Sequence, residues 1–236
     1  MVFSPTDEAK TTATFTKAGT YVLRLTGVNS GHLSDTDDVT VTVTPADLTI
    51  TMTGRPANLE AGGLVSLHGT VTRTANGAPV GDEKVTVTAY TAPDFNATVV
   101  GTVTTSADGT FQISDRPMAI TRYVATNNGV SNAVMVMVRP RLNAHLTAIV
   151  IHRGQRAQVR GTIAPSADGQ PLLLQRWNGV RWVTAAVTST TGADRASFQM
   201  SVRIRQAGHY RFRVMAPAFA GRTQALSPAM KLVVRR

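Results

Sequence analysis

Valine and threonine alternate along much of this chain, and the alternation marks its strands. Val39-Thr40-Val41-Thr42-Val43 and Val85-Thr86-Val87-Thr88 put β-branched side chains on both faces of a pleat, which is strand rather than helix composition. One phrase recurs three times: a Tyr opens a strand, a loop follows, and an alternating strand closes the unit. Tyr21 leads through Val22-Leu23-Arg24-Leu25 to Val39–Val43, and Tyr123 through Val124-Ala125 to Val134-Met135-Val136-Met137-Val138. Tyr210 leads through Arg211-Phe212-Arg213-Val214 to Lys231-Leu232-Val233-Val234. The spacing of about 90–100 residues is that of one small β-sandwich, so three modules in a row are expected.

Residues 47–140 supply one full set of strands: Leu48–Thr53, Leu64–Thr72, Val85–Tyr90, Val99–Thr105, Thr110–Ser114, Ile120–Thr126 and Ala133–Val138. Turn residues separate them, at Asn76-Gly77, Asp82, Pro93-Asp94, Asp108-Gly109 and Asn128-Gly129. Asp108-Gly109, between two alternating runs, reads as a hairpin turn. Residues 141–236 repeat the plan, with Gly161-Thr162-Ile163 answering Gly69-Thr70-Val71 and Ala196-Ser197-Phe198 answering Gly109-Thr110-Phe111. A Tyr at the start of the penultimate strand is where immunoglobulin-like sandwiches place the tyrosine corner. The expected fold is therefore all-β, a tandem array of Ig-like β-sandwich modules at 47–140 and 141–236, preceded at 1–46 by an incomplete module of three strands. The joints, Thr44-Pro45-Ala46 and Arg139-Pro140-Arg141, are short and hold one proline each, which predicts a semi-rigid rod.

The wording of the modules carries resemblances. Ser4-Pro5, Thr11-Thr12-Ala13-Thr14-Phe15, Gly19-Thr20-Tyr21-Val22-Leu23-Arg24-Leu25 and Asp37-Asp38-Val39-Thr40-Val41-Thr42-Val43 resemble the C-terminal half of a PKD-like domain of bacterial surface and secreted proteins. The resemblance implies opening strands upstream of Met1. Gly69-Thr70-Val71, Gly77-Ala78-Pro79-Val80, Val85-Thr86-Val87 and Ala107-Asp108-Gly109-Thr110-Phe111 resemble bacterial Ig-like repeats of cell-surface proteins. The last module resembles an Ig-like type common in actinobacterial exported proteins, whose middle hairpin carries a Trp like Trp182.

That hairpin is the most informative stretch. Asn178-Gly179 predicts a two-residue turn in which Trp177 faces Val180, Arg176 faces Arg181 and Gln175 faces Trp182. One face then holds Leu173, Gln175, Trp177, Val180 and Trp182, and the other Leu172, Leu174, Arg176, Arg181, Val183, Ala185 and Val187. If the aliphatic face is the core, both tryptophans stand outside beside arginines as a stacking platform. If the Trp face is the core, Trp182 is the buried Trp that Ig-like domains favour, which is the expected case, with Trp177 exposed beside the turn.

Composition narrows the chemistry. At 42% hydrophobic but 6% aromatic residues, the cores must be built from Val, Leu, Ile and Ala. The absence of cysteine removes disulfides, thiol catalysis and Cys-based zinc sites. No apolar run approaches the roughly 20 residues of a membrane span, and the N-terminal residues lack the basic and apolar regions of a signal peptide. The net charge of +10 is lopsided: residues 141–236 hold fifteen basic side chains against Asp168 and Asp194 alone. With Phe198, Met200, Val202 and Ile204 inward, Arg203 and Arg205 point out. With Tyr210, Phe212 and Val214 inward, Arg211 and Arg213 point out. These strands belong to opposite sheets, so the charge is spread rather than focused, which disfavours a nucleic-acid groove.

No catalytic constellation is visible. His32, His68, His145, His152 and His209 show no metal-ligand spacing, and no phosphate loop or nucleophile elbow occurs. Asp35, Asp37 and Asp38 could offer hard oxygens to Ca²⁺ but lack the Gly and distal Glu of an EF-hand loop. Lys84 with Asn132 and an acid is the best triplet for a Lys–Asn cross-link. The expectation is a non-enzymatic, extracellular or cell-surface adhesive or spacer array, monomeric and without cofactor, attached to other domains of a longer protein. Its contacts would be cell-envelope polymers or glycans, through Arg176, Trp177, Arg181, Arg203, Arg205, Arg211 and Arg213. The alternatives are a carbohydrate-binding accessory region of a secreted hydrolase and a binder of polyanions such as DNA or teichoic acid.

Overall fold

In the computed structural model, alternate residues are buried along the central strands of the two large sandwiches, such as Val65–Arg73, Lys84–Thr91 and Ala196–Arg203, and the sheets follow from that period. The structure describes residues 2–4, 11–15, 18–28, 34–44, 47–127 and 129–236. Pro5, His32, the Pro45-Ala46 joint and Asn128 lie outside them. Among the described residues, all regular elements are strands.

The described residues among 1–46 form two small two-stranded antiparallel sheets. One pairs β1 (Val2–Ser4) with β2 (Thr12–Thr14), and the other pairs β3 (Gly19–Val28) with β4 (Ser34–Val43). The second hairpin half-buries Tyr21, Leu23, Val41 and Val43 on one face, with the Phe15 and Tyr21 rings 4.8 Å apart. Val22, Leu25, Val28 and Val39 remain exposed.

The next module contains β5 (Leu48–Arg55), β6 (Asn58–Glu60), β7 (Val65–Arg73), β8 (Lys84–Thr91), β9 (Asn96–Thr104), β10 (Thr110–Asp115), β11 (Thr121–Asn127), β12 (Gly129–Val130) and β13 (Val134–Arg139). One sheet has the order β10-β7-β5 and the other β6-β13-β11-β8-β9, with β12 hooked onto β11. The expected strands are all present, together with the short β6 and β12. After β5 the chain changes sheets, and β6 runs parallel to β13. Between the sheets lie Ile50, Met52, Leu67, Val71, Val85, Val87, Phe111, Tyr123, Val136 and Val138.

The last module repeats this with β14 (Arg141–Leu146), β15 (Val150–His152), β16 (Arg156–Ala164), β17 (Pro171–Trp177), β18 (Trp182–Ser189), β19 (Ala196–Arg203), β20 (Gly208–Ala216), β21 (Ala225–Leu226) and β22 (Met230–Arg235). Its sheets are ordered β14-β16-β19 and β15-β22-β20-β17-β18, and β15 runs parallel to β22. Its core holds Val159, Ile163, Leu172, Leu174, Phe198, Met200, Phe212, Val214, Leu232 and Val234.

Matching devices build both sandwiches. Gly69 sits opposite Phe111, and Gly161 opposite Phe198, so that each Phe ring lies in the slot a missing Cβ leaves. Ser131 Oγ accepts from Ala125 N–H and donates to Asn132 C=O, as Ser227 Oγ does with Val214 N–H and Pro228 C=O. Thr105 and Thr190, both buried, each tie the end of one strand to the loop before another.

The Asp108-Gly109 expectation fails in one respect. β9 and β10 lie in different sheets, so the turn is a crossing and not a hairpin. Gly109 C=O accepts from Val71 N–H, and Asp108 Oδ1 accepts from the backbone and hydroxyl of Thr110. These bonds commit the segment to β7 and hold the Asp108 carboxyl below its usual range.

The two sandwiches meet at a closed joint. The stretch between β20 and β21 reaches back across the boundary, where Gly221 C=O accepts from Ile120 N–H at 2.8 Å and Thr223 N–H donates to Val138 C=O at 2.8 Å. Arg222 Nε donates to Met118 C=O at 3.0 Å. Its guanidinium is half-buried, and desolvation lowers its pKa against the opposing pull of Asp194. Glu60 pairs with Arg139 and with Arg141 across the Pro140 hinge, at 3.7 and 3.2 Å.

Candidate functional site

The β17–β18 hairpin sets the geometry of the basic module. Asn178 N–H donates to Arg181 C=O, and the Asn178 carboxamide accepts from Val180 and Arg181 N–H. The tight turn is therefore centred on Gly179-Val180, one residue later than expected, with Gly179 at φ +101°. Glycine at the first central position is what a type II′ turn requires.

Trp177 thus pairs with Trp182 and Arg176 with Val183. Partners move by two residues, so the two faces stay as expected near the turn. A bulge between Leu174 and Gln175 then places Ala186 inward and Val187 outward. The aliphatic face is the core, and Trp182 is not in it. Both tryptophans are half-buried on the outer face, 5.5 Å apart edge to face. Leu172, Leu174, Phe212 and Val214 already fill the space an inward Trp would need. Arg213 lies 4.5 Å over the Trp182 ring and donates from Nε to Gln175 Oε1 at 2.8 Å, a cation held between an indole and an amide.

Beyond the last β17–β20 pair, Arg176 with Phe212, the hairpin tip stands away from the start of β20. There a cleft of about 670 Å³ opens, lined by Arg176, Trp177, Tyr210, Arg211 and Lys231 among others. Arg176 lies 5.9 Å from the Tyr210 ring centroid, and Tyr210 is fixed by its hydroxyl donating to Gln206 C=O at 2.9 Å. Arg211 and Lys231 are directly opposite on β20 and β22. Like charges so placed repel, and among the described residues neither side chain has a hydrogen bond or ion pair.

The remaining site candidates do not converge here. Arg203 is on the other sheet, opposite Arg156, and donates to Gly154 C=O. Arg205 is exposed beyond the end of β19, and Arg181 is exposed at the hairpin tip. His209 and the backbone of Gly179, which line the cleft, were not singled out for it by the sequence. A hollow of about 720 Å³ in the middle module is lined by threonines and His68 and holds no Lys, Arg, Asp or Glu.

Asp35, Asp37 and Asp38 of the first module stand on a strand and not in a loop. Asp38 faces Arg24 on β3 and binds it through both carboxylate oxygens, each at 2.8 Å. This bond holds the Asp38 carboxyl below its usual range. Asp35 and Asp37 alternate with the neighbouring residues and accept from the N–H that follows each of them. Strand alternation therefore splits the set between faces, and among the described residues no group of three His, Cys, Asp or Glu could hold a metal ion. Asn132 is not free for a cross-link: its amide bonds both polar backbone atoms of Met52, and Lys84 is exposed.

No protein-family model matches the chain, and no curated protein does. It is similar to solved structures at low identity. The tetra-tandem repeat in the extending region of a large adhesion protein is 16% identical, with a TM-score of 0.47 over 91% of this chain and 57% of that one. The Yersinia pseudotuberculosis adhesin InvE is 12% identical, with a TM-score of 0.37 over 78% and 58%. The Escherichia coli adhesin FdeC is 11% identical, with a TM-score of 0.38 over 85% and 69%. The chain thus spans little more than half of the first two.

Proposed function

We propose that the chain is a non-catalytic, extracellular adhesive or spacer region of a bacterial surface protein. The observation that carries this reading is the closed joint between 47–140 and 141–236. Two backbone hydrogen bonds, the Arg222 contact and the Gly221–Ala92 approach cross a boundary that a flexible linker would leave open. A stiff joint suits a region that holds a partner domain at a set distance, and stiffness lowers the entropy lost when repeats engage a surface together. The resemblance of residues 1–46 to half a PKD-like domain, and of the last module to actinobacterial exported domains, supports the same setting.

The chain has no cysteine, so paired labels can be introduced cleanly. Spin labels at Gln112→Cys and Ser197→Cys, one exposed site on each sandwich, should give a single narrow distance distribution. A broad distribution would remove the ground for a spacer.

A further inference from the structure

We propose that the cleft between the β17–β18 hairpin tip and strands β20 and β22 binds an acidic polysaccharide, a chain of pyranose rings bearing carboxylates. The proposal rests on the surface-adhesive reading and names what would be adhered to. Three features of the cleft meet the two halves of such a ligand.

The first is unmatched charge. Arg211 and Lys231 are cross-strand neighbours and Arg176 lines the same space, with no carboxylate paired to any of them. Elsewhere in the module a similar pair, Arg156 and Arg203, is engaged by Ser201 Oγ and Gly154 C=O. The cleft cations keep their donors free, and a carboxylate between them would relieve the repulsion and accept from the Arg211 fork. The second feature is the aromatic lining. Trp177 and Tyr210 border the cleft, and an indole takes the apolar face of a pyranose ring while leaving its hydroxyls in water. The third is pre-organisation. Tyr210 is pinned through Gln206 and the Trp177 backbone through its tight hairpin, so little order remains to be imposed on binding. A phosphodiester polymer would use the charge but not the aromatic wall.

Calorimetric titration of the full chain with trigalacturonate at near-physiological salt tests this. Binding is expected, with maltotriose, a neutral α-1,4-linked trisaccharide of the same length, giving none. Arg211→Gln and Lys231→Gln should each weaken it about tenfold, as loss of a charged hydrogen bond does. Trp177→Ala should weaken it, and Trp177→Phe should retain part of it, with spectra of the folded state checked for each. Arg195→Gln, at the joint end of the module, should have no effect. Absence of trigalacturonate binding overturns the proposal, as does equal loss in Arg195→Gln. Equal or tighter binding of a DNA duplex or poly(glycerol phosphate) that is indifferent to Trp177 also overturns it, leaving charge alone. A narrow label distance with no glycan binding would overturn the site and leave the spacer, and a broad distance with binding the reverse.

Discussion

The Tyr123 hydroxyl donates to Asp115 Oδ2 at 2.7 Å, joining the first residues of β11 to the end of β10 across the edge of the middle sandwich. In the last module the corresponding Tyr210 donates to the backbone carbonyl of Gln206 instead. Both close the corner at the start of the penultimate strand, one through a carboxylate and one through the main chain. The Tyr123 corner bears on how the middle sandwich responds to base.

Burial, and then the Asp115 carboxylate, push the Tyr123 hydroxyl well above its usual value. A group whose folded pKa is raised contributes its full stability below the unfolded pKa, about 10 for Tyr, and loses it as pH rises further. The middle sandwich should therefore weaken above about pH 10, with a slope of up to about 1.4 kcal/mol per pH unit. Tyr123→Phe should flatten that limb while costing about 1.5–3 kcal/mol at neutral pH for the lost bond to a charged acceptor. Denaturant midpoints measured across pH 7 to 11 for both proteins check the sign.

Gly69 and Gly161 supply the next expectation. A Cβ at either position would fall within the facing Phe ring and against a backbone carbonyl, Thr51 C=O or Asn143 C=O. Backbone cannot give way as a side chain can, so Gly69→Ala and Gly161→Ala should each cost about 1–3 kcal/mol. Pairing Gly161→Ala with Phe198→Leu should recover part of that loss, since the ring is one of the two obstacles. Thermal unfolding of the single and paired variants measures it.

Much of this was legible in the chain, and the limit is physical. Alternation located the main strands and put Phe198, Met200, Phe212 and Val214 inward, because the core face imposes a period of two. The phrases that repeat between the modules contain Gly69, Phe111, Gly161 and Phe198, but repetition alone does not say that each Gly faces its Phe across the sheet. Short strands such as β6 and β15 escaped, since three residues cannot show a period. The Asn178 turn slipped by one residue because its side chain caps the loop and shifts the centre onto Gly179. Asp108-Gly109 looked like a hairpin because local turn chemistry does not say whether flanking strands share a sheet. The cleft joined Arg176, Trp177 and Arg211, which the sequence had picked out, while Arg203 went to the other sheet. Contacts such as Arg222 with Met118 leave no local trace.

Ser131 and Ser227 hold matching places: each follows an apolar residue, in Val130-Ser131-Asn132 and Leu226-Ser227-Pro228, shortly before the closing strand of its sandwich. Each hydroxyl is the acceptor for a buried strand N–H, Ala125 or Val214. Removing it leaves that donor without a partner, at about 1–3 kcal/mol. Ser131→Ala and Ser227→Ala should therefore each destabilise their own sandwich by that amount, and Thr, which keeps the hydroxyl, should destabilise less. Hydrogen exchange should quicken at the Ala125 amide in the first variant and at the Val214 amide in the second.

The joint yields the last expectation. Gly221 sits at φ +72°, and a Cβ there would lie 2.8 Å from the Ala92 carbonyl carbon and from its Cβ. Gly221→Val is strained twice, by the left-handed backbone and by the wedge against Ala92. The cheapest relief is separation of the modules, because each core is complete without the other. The Ile120–Gly221 hydrogen bond should open while both sandwiches stay folded. The distance between labels at Gln112→Cys and Ser197→Cys should then broaden, with little change in the unfolding midpoint of the middle sandwich. Ala92→Gly removes the Cβ but leaves the Ala92 backbone in place, so combined with Gly221→Ala, the milder variant, it should narrow the distribution only in part. If Gly221→Val left the distance narrow, the stiffness would reside in Pro140 and the Glu60 pairs, and Glu60→Gln with Pro140→Gly would then be the pair that loosens it.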